Sequence, residues 1–212
     1  MSSLNQLISE IAHSVQQADS VPVRRAIRQG IIHARNELIR HIYSNHNYVD
    51  KVLKQKFKLK LANTDKEGIK KTINKVPRPV RLPINLPFHS VDVIIDNEII
   101  TVAYITTSVN RFYNNLPGMN NVITYDYIND YLYLNNINED VEYVIIESVF
   151  EYPHQIIINY DDENEENLNI NDDDEFFLPE DLVNSVKKLV LETFNNTVIR
   201  DTNEIPTPNL VK

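Results

Sequence analysis

Along residues 3–17 the apolar positions Leu4, Leu7, Ile8, Ile11 and Val15 recur three and four apart, which gathers them on one face of an α-helix. Asp19 and Ser20 suit the cap of a second helix and Pro22 its first turn. Val23, Ile27, Ile31, Leu38 and Ile42 carry the second apolar stripe to about Tyr43, and residues 44–47 read as a turn. The other face of that helix reads as a basic ridge of Arg24, Arg25, Arg28, Arg35 and Arg40, whose planar forks suit carboxylates or phosphates. From Lys56 to Leu61 the order Lys-Phe-Lys-Leu-Lys-Leu alternates, the period of a half-buried strand with its ammonium groups outside. Lysines along a strand discourage stray pairing, so a sheet edge is the expected place for it.

Residues 63–75 are polar, and Pro77, Pro79, Pro83 and Pro87 then impose an extended course, a linker or an arm along a surface. Two hairpins follow. One flanks Asp96-Asn97 with residues 91–95 and 98–104; the other flanks Asn129-Asp130 with residues 125–128 and 131–134, tyrosines alternating. Residues 141–150 supply a further strand. Residues 160–175 hold nine acidic side chains and no basic one, which reads as an exposed loop or hairpin tip. Pro179, Glu180 and Asp181 open a last helix with acid at its positive end and Lys187 and Lys188 further along, as the helix dipole favours. Its apolar face is Leu182, Val183, Val186, Leu189, Val190 and Phe194, and Asn195-Asn196 reads as its stop.

These elements predict an α+β fold in which an N-terminal helical pair and a C-terminal helix pack with a small, mainly antiparallel sheet. Its parts are the helical pair (1–50), the Lys-rich strand and Pro-rich arm (51–88), a β-rich region (89–160), the acidic loop (161–175), the C-terminal helix (176–196) and a tail (197–212). The arm and the tail are expected to order on docking.

Composition narrows the chemistry. The 212 residues contain no Cys, so disulfides, thiolate nucleophiles and Cys-ligated metals are excluded. With three Gly, neither GxGxxG nor GxxxxGK[ST] occurs and no Gly-rich phosphate cradle can form. Apolar runs of four or five residues predict neither a spanning helix nor a signal peptide. The net charge of −9 conceals a polarity: residues 1–88 carry 16 Lys and Arg against 6 Asp and Glu, and residues 89–212 carry 5 against 24. Such a split points to pairing of the halves within the chain or to a basic face of one copy meeting an acidic face of another.

Candidate reactive groups carry little. Asp161, Asp162 and Glu163, or Asp172, Asp173 and Asp174, offer oxygens to a hard cation, but neither cluster has the central Gly of an EF-hand loop. The six histidines form no HExxH pair, and no GxSxG elbow positions a serine. No enzyme activity, metal site or cofactor is expected. The arginines of the second helix and the Lys-rich strand are the best nucleic-acid candidates. The same arginines suit a protein interface, with Asp161, Asp162, Glu163, Asp172, Asp173 and Asp174 as the acidic counterparts.

The order YDYINDYLYL, VEYVIIESVFEYP, acidic loop and FFLPEDLVNSVKKLVLETF, over about the last 90 residues, resembles the ring and adaptor proteins of crAss-like, short-tailed bacteriophages. The resemblance implies a structural virion protein of the head–tail connector, a homo-oligomeric ring that is dodecameric in related systems. Its implied partners are the portal protein, neighbouring ring or tail proteins and double-stranded DNA passing without sequence recognition, with no membrane. Assembly in the bacterial host cytoplasm and a role in genome ejection follow from it. The acidic loop would face the lumen or a partner ring. The alternatives are another tail or baseplate component, or a DNA-binding accessory protein using the basic half.

Overall fold

Ser3 starts the first helix by accepting the Gln6 backbone N–H at 3.1 Å, the capping role its hydroxyl favours. The computed structural model describes residues 2–84, 86–95, 98–113, 116, 122–137, 141–156 and 172–202. In chain order the elements are α1 (Leu4–Ser14), α2 (Val21–His46), β1 (Gln55–Asn63), β2 (Ile69–Thr72), β3 (Ser90–Ile95), β4 (Glu98–Thr101), β5 (Ala103–Tyr104), α3 (Thr107–Tyr113), β6 (Thr124–Ile128), β7 (Tyr131–Asn135), β8 (Tyr143–Ser148) and α4 (Glu180–Thr202). They fall into two units, Met1–Ile39 with Asp172–Lys212, and Arg40–Asn171.

The first unit is helical. Leu4, Leu7, Ile8 and Ile11 of α1 meet Ile27 and Ile31 of α2 and Val183, Val186 and Val190 of α4, with Phe176 and Leu178 closing the core. Each such aliphatic side chain contributes about 1.5–3 kcal/mol by leaving water. Gly30 marks the close approach of α2 to α4: a Cβ there would lie 3.4 Å from Val190 Cγ1. Two helix ends differ from the sequence expectation. α2 continues to His46, with the Ser44 hydroxyl donating to Arg40 O at 2.9 Å. It ends at Asn47, which takes the left-handed conformation at φ 51° and returns its N–H to Tyr43 O at 2.8 Å. α4 runs through Asn195-Asn196 to Thr202, because two asparagines without Gly or Pro do not halt a formed helix. Residues 203–212 of the expected tail lie outside the described residues.

The second unit is built on one eight-stranded sheet in the order β4-β3-β8-β1-β2-β7-β6-β5. All its pairs are antiparallel except β5–β6. It is larger than the small sheet expected. β4 and β5 stand at opposite ends of that order yet are separated in sequence only by Val102. Laid flat, eight strands would put their ends roughly 33 Å apart, whereas one residue spans at most about 3.6 Å. The sheet therefore curls round nearly to closure. Phe57, Val91, Leu132, Leu134, Val144, Ile146 and Phe150 fill its interior.

β1 corrects one expectation. It is an inner strand, pairing with β8 through residues 55–60 and with β2 through residues 61–63, so its lysines guard no edge. Its neighbour β2 (Ile69–Thr72) lies within the stretch read from sequence only as polar. Lys70 in that strand is 6% exposed and sends its ammonium to Val141 O at 2.7 Å, so a buried charge there has a carbonyl partner. The hairpin of β6 and β7 forms as expected, with Asn129 and Asp130 at φ 54° and 65°, the conformation a two-residue primed turn needs. The Pro-rich arm is already bound within this unit: Val80 donates to Val149 O at 2.8 Å and Glu151 to Arg78 O at 2.9 Å, while Val76 and Phe88 are buried. Docking is not needed to order these parts of it.

Candidate interaction surface

At 100° per residue, Arg24, Arg28 and Arg35 fall within about 40° of one another on α2, along the line that also carries Ile31 and Ile39. The expected ridge is thus not one outward face, because its members are spaced four and seven apart on the buried side. Arg24 donates to Ser9 Oγ at 3.1 Å and to Ala18 O at 3.4 Å. Arg28 binds Asp172 at 2.7 Å. Arg35 is fully buried, donating Nε–H to Phe177 O at 2.9 Å and a terminal N–H to Asn36 Oδ1 at 3.1 Å, with Phe176 facing the guanidinium. Burial pushes its pKa down to about 9, still above neutral pH, so the charge is kept. Arg25 is exposed on α2. Arg40, in the second unit, pairs loosely with Glu151 at 3.9 Å.

The acidic candidates divide in the same way. Asp172 serves Arg28, and its carbonyl accepts the Asn5 N–H at 2.9 Å. Asp173 accepts from Asn5 Nδ2 at 2.7 Å, and Asp174 is exposed. Asp161, Asp162 and Glu163 lie outside the described residues. Among the described residues no three His, Asp or Glu side chains are placed to hold a metal ion, and no helix is long and apolar enough to cross a membrane.

The polarity of the linear sequence is largely folded away. Each unit combines an early basic part with a later acidic one: the first holds 8 Lys and Arg against 12 Asp and Glu, net −4, and the second 13 against 18, net −5. Lys187 of α4 bonds Glu10 of α1 and holds its carboxyl below the usual range. Pairing within the chain, the first of the two readings of the charge split, accounts for these contacts.

What remains concentrated is the outer face of the curled sheet. The register of β1 places Lys56, Lys58 and Lys60 beside Glu147, Ile145 and Tyr143 of β8, and that of β2 places Lys71 beside Tyr133 of β7. Lys58 Nζ lies 4.0 Å from the Tyr143 ring centroid, and Lys71 Nζ lies 3.6 Å from Tyr131 and 5.6 Å from Tyr133, cation–π geometry. The alternation of lysines in β1 was visible in the sequence. Its tyrosine partners were not, because cross-strand neighbours are set by a register joining residues more than sixty positions apart.

At one rim of this unit Arg78 grips Asp130 with Nε at 3.1 Å and a terminal nitrogen at 3.2 Å, holding that carboxyl below its usual range. Burial raises the phenol pKa values of Tyr125 and Tyr127, which keeps both neutral in the core. These are structural arrangements. A family model described as phage tail ring protein 2 matches residues 6–209. No curated protein matches the chain.

Proposed function

This chain belongs to the phage tail ring protein 2 family of crAss-like phages, a structural component of the virion, and on that premise we propose that it forms a non-enzymatic ring of the head–tail connector, between portal and tail and around the DNA channel. The family match over nearly the whole chain carries this reading. A ring closes through head-to-tail contacts between two different patches of each copy. The exposed Arg25 is the basic group of α2 best placed to reach a neighbour, whereas Arg40 is half-buried and pairs with Glu151. Arg24, Arg28 and Arg35 are engaged in the first unit. The ring would hold twelve copies, as the resemblance to related connector rings implies, with assembly in the host cytoplasm before genome ejection.

The experiment is negative-stain imaging of the purified protein, alone and mixed with the phage portal. Annular particles that stack on the portal support the connector position. Annuli that ignore the portal but bind other tail proteins would move the ring to a layer further down the tail. Arg25→Glu should reduce the annuli without unfolding the chain; unchanged annuli would remove Arg25 from the contact.

A further inference from the structure

The outer face of the β8-β1-β2-β7 sheet gathers four lysines in two adjacent strands, and Lys58 and Lys60 are exposed. We infer that this face is the surface through which the protein meets the phosphate backbone of duplex DNA; the inference rests on the proposed ring around the DNA channel and names which surface would do the touching.

Three observations select this partner. The first is the residue type. Lys is depleted in the cores of protein–protein interfaces, where Arg and bare aromatic rings are favoured, whereas a lysine ammonium is a common point-charge partner for phosphate. The tyrosines point the same way: those of this face already lie against ammonium groups, Tyr143 against Lys58 and Tyr131 against Lys71. Rings covered in this way do not offer the bare π-face on which unpaired bases stack, so the contact is to backbone and indifferent to sequence. The third is the distribution of acid. Asp92 and Asp126, outward by register, are buried beside β8 and β7. Glu147 lies next to Lys56 and within 3.7 Å of Lys54. Lys58 and Lys60 of β1 stay exposed on this face.

Lys58, Lys60 and Lys71 meeting three phosphates give a logarithmic salt slope of about −2.7 per bound copy, a loss of about 40-fold in affinity between 50 and 200 mM salt. Such contacts are weak singly and exchange readily. A ring repeating them would centre the duplex by many transient contacts rather than hold it by a few strong ones.

The test is fluorescence anisotropy of a labelled 30-base-pair duplex with the full chain across that salt range, comparing wild type with Lys58→Ala/Lys60→Ala. Native mass spectrometry of the same samples reports assembly, and circular dichroism reports folding. Wild type should bind, and the variant should stay folded and assembled with its slope reduced by about 1.8 per copy. Equal binding by the two proteins, no binding by wild type at 50 mM salt, or tighter binding of single-stranded than duplex DNA would overturn the inference. Rings lost in the variant would assign the face to a neighbouring chain and overturn it too. Wild type that binds DNA through these lysines yet never forms rings would instead count against the proposed ring.

Discussion

Cutting the ion pair between Arg28 and Asp172 separates two uses of the arginines of α2, bracing the helical unit or gripping a neighbouring copy. The two groups approach to 2.7 Å with 36% and 27% of their side chains exposed. Unit charges about 4 Å apart attract by about 1 kcal/mol in water and about 4 kcal/mol near a protein surface. Partial exposure and the entropy of holding a long side chain reduce this to a net coupling of about 0.5–1 kcal/mol. The backbone bond from Asn5 to the Asp172 carbonyl survives side-chain truncation, so the segment stays in place. The assay is a double-mutant cycle of Arg28→Ala and Asp172→Ala by urea unfolding at a concentration where the chain is monomeric. A coupling in that range, weakened by 1 M salt, is the expected result. A coupling of zero, with both single variants as stable as wild type but unable to assemble, would refute the intrachain role and return Arg28 to the interface.

Two further outcomes follow from the same geometry. Gly30→Ala should stabilise the helical unit by about 0.5–1 kcal/mol, raising its melting temperature by about 2–8 °C, since the added Cβ meets Val190 at 3.4 Å and lifts the entropic cost of a helical glycine; a lower melting temperature would mean that Val190 cannot accommodate a methyl group. Arg78 lowers the Asp130 pKa in the folded state, so the stability this adds is complete above the ordinary Asp value of about 3.9 and is lost as pH falls through the depressed folded value. The gap between wild type and Arg78→Ala in thermal unfolding should therefore close in acid; a gap that stays constant to the lowest pH would contradict the pairing.

What the sequence made legible was local. The stripe from Leu4 to Ile11, the alternation around Phe57 and the turn at Asn129-Asp130 each encode their element within a few residues, and each formed. β2 was missed because lysine reads as solvent-facing, whereas Lys70 reaches a carbonyl and Lys71 a pair of rings contributed by distant strands. Arg35 reads as outward-facing by its charge, although it stands four residues from both Ile31 and Ile39. Spacing was the better guide there, and charge the misleading one. At larger scale, the polarity along the chain left two readings open, pairing within the chain or between copies. Folding brings residues 172–202 back to the first helices and pairs β8 with β1, so much of the opposition is spent inside each unit. Near-closure of the sheet was illegible for a related reason, since it depends on Val102 joining strands whose partners lie far apart in sequence.

The ring is tested most directly by native mass spectrometry of the purified protein across rising concentration. One closed species of twelve 24.7 kDa chains should grow at the expense of monomer without DNA or other phage proteins present. A lone 24.7 kDa chain at every concentration, with no assembly when portal and tail components are added, would contradict it.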